Sequence, residues 1–232
     1  MKNILYILSL FCGTFVLSNS THAVEPLKIA VWSGSEKFEP IISLVYENLK
    51  IPIKFIPLPT ERSITEVNRG SVDADIARST VVASMYPNVI ASQQSFLNFS
   101  LVGYVRADSP IKLEKIEDIR NHSAGLIIGT KIAEALVNKY GLASTKVHSP
   151  VQLAQLINDR RFEIALIATI QDYAYLEKNG LKRIPLTLFK TQMVHIFNKK
   201  HKKLQEEFDR ELKRLKKSDP KFQELLNGLA VK

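Results

Sequence analysis

The sequence predicts an α/β protein made of two similar halves around a cleft. One observation is the alternation of short apolar runs with helical patterns along most of the chain, which indicates parallel sheets covered on both faces. The other is a helix–turn–strand passage that occurs twice, as PLPTERSITEVNRGSVDADIARST over 57–80 and VQLAQLINDRRFEIALIA over 151–168. Setting Asn68 on Asn158 places Val72 on Phe162 and Asp73 on Glu163, an offset of 90 residues. Helix–turn–strand units are common, so the match is weak evidence of a repeat. Two α/β halves joined around a cleft is still the simplest architecture that accommodates it.

The first 23 residues read as an export signal. Lys2 gives a positive start, 4–17 is an apolar run of about 14 residues, and Thr21-His22-Ala23 ends in a small residue. That run is shorter than the ~20 residues needed to span a bilayer. Cleavage is expected after Ala23. Cys12 is the only cysteine, and the bulky Phe11 before it argues against a lipid attachment site, so no disulfide or thiol chemistry is expected in the mature chain. The expected location is the periplasm.

The remaining chain is taken in order. A strand is expected over 27–32, a helix over 36–49 and a second strand over 53–56. A helix follows over 60–69, with Thr60 as N-cap and Gly70 as its stop, then a strand over 72–77. Residues 99–105, FSLVGYV, form a strongly apolar strand ended by Asp108-Ser109-Pro110. A second set begins with a strand over 124–128 and a helix over 130–140 that stops at Gly141. Ser149-Pro150 starts another helix. A strand over 163–168, a helix over 170–178 and a last strand over 193–197 complete it.

The tail is helical. Leu204, Phe208, Leu212 and Leu215 fall on one face, and Ser218-Asp219-Pro220 breaks this helix and caps a final one. The formal charge is +9, and removing the leader's one lysine leaves +8. Of that, 199–217 contributes +5, from nine Lys/Arg against four Asp/Glu. The apolar stripe favours a docked helix with a solvated basic face, and no aromatic residues interleave with the lysines to stack bases. No nucleic-acid partner is expected.

Two arginines bracket the opening passage, Arg62 near the helix start and Arg78 at the strand's end. Open α/β sheets bind ligands at strand carboxyl ends and helix N-termini, so both could face one crevice. The alternative is a pair of solvated surface arginines. Among enzyme motifs, there is no GxSxG, HExxH, GxxxxGK or GxGxxG, and the histidines lack metal-ligand spacing. No metal or cofactor is expected.

LKIAVW, NRGSVDADIA, FSLVGYV, IEDIRNHSAGLIIGT and QLAQLINDRRFEIALIATIQDYAYL, with the closing helix pair, occur here in the order seen in one known family. Over nearly all of its mature length the chain resembles the family-three periplasmic solute-binding proteins, the amino-acid-binding type. The wording LPTERS…VDADIARS…YPNVI is most similar to a short subgroup. The resemblance implies two α/β lobes, 24–106 with 191–232 and 107–190, joined by crossovers at 99–106 and about 189–198. It implies a monomer that closes on a small polar ligand, anionic or zwitterionic, for an ABC-type importer. Ligand contacts would come from Trp32 and Ser33 in the loop after the first strand, Gly129 and Thr130 at a helix start, and Asp172. Free amides at a helix start suit a carboxylate, and an acid suits an ammonium group. Thr130 could equally be a plain N-cap, Asp172 a first-turn acid, and Trp32 a core residue.

The chain departs from the family at one point. Amino-acid binders carry an arginine about a dozen residues past the Asp of the helix-to-strand passage, where this chain has Met85. Arg62 or Arg78, with Ser79 beside it, would have to substitute. A ligand-sensing partner of a membrane receptor, and a dehydratase-like enzyme with Asp172 as its acid, are the alternatives.

Overall fold

The computed structural model describes residues 25–170 and 174–229. The expected export signal and Asp172 lie outside the described residues. In chain order the elements are β1 (Leu27–Val31), α1 (Glu39–Asn48), β2 (Ile53–Pro57), α2 (Thr60–Arg69), β3 (Ala74–Ser79), α3 (Val81–Met85) and β4 (Val89–Arg106). They continue with β5 (Ala124–Ile127), α4 (Lys131–Tyr140), β6 (Ser144–Val147), α5 (Pro150–Asn158), β7 (Ile164–Ala168), α6 (Ala174–Lys178), β8 (Leu181–Asn198), α7 (Lys202–Ser218) and α8 (Pro220–Gly228).

All eight strands form one mixed sheet, in the order β2-β1-β3-β8-β4-β7-β5-β6. β1 runs parallel to β2 and β3, and β5 runs parallel to β6 and β7. Between these parallel trios lies an antiparallel pair of 18-residue strands, β4 and β8. β3 is antiparallel to β8, and β7 is antiparallel to β4. The two trios therefore point in opposite directions, and their carboxyl ends converge. This is the two-lobe arrangement anticipated from the resemblance, with both lobes hung on one ribbon.

The passage that occurs twice in the sequence is two equivalent units in the fold. β3 starts at Ala74 and β7 at Ile164, the same offset of 90. The aligned Val72 and Phe162 are both buried. Asp73 accepts a hydrogen bond from the Lys28 N–H at the start of β1 (3.0 Å), and Glu163 accepts one from the Ser123 N–H just before β5 (2.9 Å). Each acid thus pins its own trio to the start of the neighbouring strand.

Local chemistry sets the element ends. Gly70 and Gly141 close α2 and α4 in the left-handed region (φ 81° and 65°), which only glycine enters without steric cost. Ser149 caps α5 by accepting from Gln152 N–H, and Asp219 caps α8 by accepting from Phe222 N–H. α7 buries Phe208, Leu212 and Leu215 as its periodicity requires, at roughly 2 kcal/mol for each side chain. Phe208 stacks on His195 of β8, and the Tyr46 hydroxyl of α1 donates to His195 Nε2 (3.0 Å).

Some expectations need correction. Pro59, not Thr60, occupies the N-cap of α2, because the proline holds the extended geometry that a cap requires and Thr60 is already helical. β3 begins two residues later than expected and therefore includes Arg78 and Ser79. The expected helix over 36–49 opens as a short 3-10 turn before α1. The strands expected over 99–105 and 193–197 are only the most apolar parts of β4 and β8. β6 and α3 were not anticipated.

Candidate functional site

Every parallel strand delivers a residue to one cleft at its carboxyl end. The loop after β1 supplies Trp32 and Ser33, the α2 start after β2 supplies Thr60, and β3 supplies Arg78 and Ser79. From the other lobe come Gly129 and Thr130 after β5, His148 after β6, and Ala168 and Ile170 at the end of β7. Phe99 of β4 and Met193 of β8 also line it. The cleft has a volume of about 470 Å³, within the range of small-molecule sites.

Arg78 is the polar centre of this cleft. It is only 4% exposed, and its Nε donates to Asp75 Oδ2 at 2.9 Å. Its Nη2 donates to the Thr60 carbonyl (2.6 Å) and to the Ser63 hydroxyl. The guanidinium carbon lies 4.9 Å from the centre of the Trp32 ring, a cation–π contact. Asp75 is fully buried and also accepts from the Ser63 hydroxyl (2.8 Å) and from Trp32 Nε1 (3.2 Å). Two guanidinium nitrogens are therefore held by the protein. Among the described residues Nη1 has no partner, so Arg78 meets the cleft with one nitrogen and not with the full two-pronged fork.

Asp75 and Arg78 meet because β3 carries a bulge. Its pairing with β8 slips by one residue between them, so two positions of opposite parity come to lie together. Trp32 is placed by Ser35, whose hydroxyl accepts from Trp32 N–H (2.9 Å) and donates to Trp32 carbonyl (2.6 Å).

Across the cleft, Thr130 is the N-cap of α4, but its side chain makes no capping hydrogen bond. The plain-cap alternative therefore does not account for its hydroxyl. Gly129 has φ 87°, and a Cβ there would lie 2.7 Å from Thr60 Cγ2 of the opposite lobe. The lobes thus touch at this point. They are also bridged by Lys131, whose ammonium contacts Glu61 of α2 at 2.7 Å and Glu134 at 3.0 Å. Burial works against that charge, but the two carboxylates outweigh it and hold Lys131 above the ordinary lysine range.

This contact can be tested directly. Gly129→Ala is expected to cost about 1–3 kcal/mol of stability in urea unfolding, from backbone strain and from the clash. Combining it with Thr60→Ser, which removes Cγ2, should recover part of the loss. Strict additivity of the two changes would show that the lobes do not touch in solution.

The structure therefore gathers Trp32, Ser33, Arg78, Ser79, Gly129 and Thr130 of the expected site. Ser79 is buried, with its hydroxyl 3.0 Å from that of Thr191. Arg62 is not brought to the cleft. Its side chain is 66% exposed and lies 3.5 Å from Glu66 along α2. Sequence reasoning missed Lys131, His148 and the apolar walls. Lys131 and His148 share one signal, a position shortly past a strand's end, whereas Phe99 and Met193 lie inside the two long strands. Among the described residues no cluster could hold a metal ion, and no helix is long and apolar enough to cross a membrane.

No family model and no curated protein sequence matches this chain. Solved structures do resemble it. The GluR0 ligand-binding core in complex with L-glutamate is 12% identical, with a TM-score of 0.72 over 90% of this chain and 100% of that one. The substrate-binding protein of an amino acid ABC transporter is 19% identical, with a TM-score of 0.69 over 88% and 98%. A histidine kinase sensor domain with similarity to periplasmic binding proteins is 13% identical, with a TM-score of 0.73 over 88% and 96%. At these identities the likeness establishes the fold, which is that of the two-lobe periplasmic binding proteins. Its neighbours include both transporter-associated and sensor proteins.

Proposed function

We propose that this protein is a periplasmic solute-binding protein that captures a small anionic or zwitterionic ligand between its lobes and delivers it to an ABC-type importer. The observation that carries this reading is the convergence of six strand ends on one cleft around Arg78, whose Nη1 has no protein partner among the described residues. The lobes would be 24–106 with 191–232 and 107–190, and the leader would be removed after Ala23 on the way to the periplasm. Arg78 is the anion anchor, with Trp32, Ser33 and Ser79 beside it and Gly129 and Thr130 facing it. Asp172 remains a candidate contact by resemblance.

Among the described residues the charged side chains lining the cleft, Arg78 and Lys131, are already ion-paired, an arrangement suited to holding a ligand in place. A sensing role is the second reading, favoured by the likeness to the kinase sensor domain.

The test is a thermal-shift screen of the mature protein against amino acids and organic acids, followed by calorimetry on variants. A tight ligand should stabilise by ~2.7 kcal/mol at a hundredfold excess over its dissociation constant. Arg78→Lys should then weaken binding at least tenfold, and Arg62→Ala should leave it within about threefold, under ~0.7 kcal/mol. Equal affinity in the Arg78→Lys variant would remove Arg78 as the anchor.

A further inference from the structure

We propose that the outer face of α7 is a docking surface for anionic phospholipid headgroups, separate from the ligand cleft. The helix runs over 17 residues, and none of them lines the cleft. Phe208, Leu212 and Leu215 form its buried stripe. Lys203, Arg210 and Lys217 are all exposed and recur every seventh residue. At 3.6 residues per turn, positions seven apart drift by only about 20°, so these three form one ridge opposite the buried stripe. At 1.5 Å per residue the ridge is about 21 Å long. Lys213 and Arg214 flank it, and both are exposed.

The positive charge stays on display because the acids of α7 are mostly engaged elsewhere. Asp209 turns to β4, where it accepts from the Ser92 hydroxyl (2.5 Å) and the Gln93 N–H (3.0 Å). Glu206 pairs with Lys202 at 3.3 Å, and Glu211 pairs with Arg214 at 2.6 Å. Glu207 is the one acid left over. Against it stand Lys203, Arg210, Lys213 and Lys217, with Lys199 in the turn before the helix. All five are exposed, and none has an ion-pair partner among the described residues.

The chemistry of this face suits a lipid surface better than a protein. Protein interfaces are anchored by a few large side chains that enter pockets. Among the described residues the exposed large apolar side chains are Met85, Val151 and Phe189, and none of them belongs to α7. A membrane needs no such anchor. Its mobile anionic headgroups gather beneath a row of flexible basic side chains, and each cation near the surface adds to the attraction. The apolar side of α7 is already packed into the protein, so the helix cannot insert. The contact is therefore electrostatic, reversible and sensitive to salt. Docked in this way, the protein keeps its cleft open to solvent.

Vesicle co-sedimentation of the mature protein tests this, with 1–23 absent so that the apolar run over 4–17 cannot itself insert. The probes are vesicles of phosphatidylcholine alone and of equal parts phosphatidylcholine and phosphatidylglycerol. Binding to the anionic vesicles is expected to be at least tenfold tighter at low salt. It should be lost at about 1 M salt, where the screening length falls to about 3 Å. Equal binding to the two vesicle types, or binding that survives the salt, would overturn the proposal without any variant. A triple variant, Lys203→Gln with Arg210→Gln and Lys217→Gln, should weaken anionic-vesicle binding at least tenfold. The control, Lys112→Gln with Arg161→Gln and Lys178→Gln, removes the same charge from exposed positions of the other lobe and should cost less than about threefold. Equal losses in the two variants would assign binding to net charge and overturn the ridge. Unchanged urea unfolding midpoints show that a loss belongs to binding and not to the fold. Tighter binding to soluble polyglutamate or duplex DNA than to anionic vesicles, at matched charge, would overturn the lipid in favour of an acidic protein or a nucleic acid.

Discussion

Replacing Arg78 with alanine is expected to cost the unliganded protein about 3–5 kcal/mol, because it strands a buried charge. Asp75 has no solvent exposure, and Arg78 is its counter-ion at 2.9 Å. Its remaining donors, Ser63 and Trp32, are neutral. Urea unfolding of Arg78→Ala checks the value, with Arg78→Met combined with Asp75→Asn as the control. The double variant carries no charge at the site and should recover much of the loss. A cost below about 1 kcal/mol for Arg78→Ala would mean that the neutral donors satisfy Asp75 on their own. The same pairing explains why lysine is the better probe of ligand binding, since it keeps a cation in front of Asp75.

The second large effect is expected from acid. His195 is fully buried, and burial pushes its imidazole down to about 4, well below the ordinary value of 6.5. Its Nδ1–H donates to the Ile76 carbonyl (3.0 Å), which leaves Nε2 to accept from Tyr46. The folded state therefore holds neutral histidine, while the unfolded chain takes up a proton below about 6.5. Stability from this site is complete above pH 6.5 and falls as the pH drops to about 4, by up to ~3 kcal/mol. Asp73 adds a later step. Burial opposes its charge, but hydrogen bonds from Lys200, the Lys28 N–H and His201 outweigh this and hold its carboxyl at about 2. Its contribution is present above the ordinary carboxylate range and is lost between about pH 4 and pH 2. Unfolding free energies measured from pH 8 to pH 3 should show the upper step in the wild type and not in His195→Gln. An unchanged upper step in the variant would assign it to another group.

The alternation of elements was readable because the buried strands are short apolar runs and the helices are punctuated by glycine, proline and capping residues. α2 falls on 60–69 as its periodicity says, and Gly70 and Gly141 end helices where the sequence places them. The two long strands were only partly readable. Ser92, Gln93, Gln94 and Ser95 interrupt the apolar pattern of β4, and the pairing with β8 shifts register around them. A period-two pattern cannot survive such shifts. The site was half readable for a related reason. Arg62 and Arg78 look alike in the sequence, since both sit near element ends beside polar residues. Burial of Arg78 depends on the bulge that turns it onto Asp75, and nothing local in ADIARS announces an extra residue. Arg62 has no such partner among the described residues and stays at the surface beside Glu66. Thr130 was readable as a helix start, but whether its hydroxyl caps the helix is decided by backbone angles.

The position of β3 in the sheet has a consequence for the order in which the molecule can be assembled. Its neighbours are β1 on one side and β8 on the other, and Ser79 pairs with Met193, 114 residues further along the chain. β5, β6 and β7 by contrast all lie within 124–168 and pair with one another. A chain emerging from its N-terminus meets the partners for its second lobe early, while the open edge of β3 waits until nearly the whole sequence is present. Pairings so distant in sequence are slow to form, because the intervening loop must be closed before they return any stability. The lobe that is begun first is the one completed last.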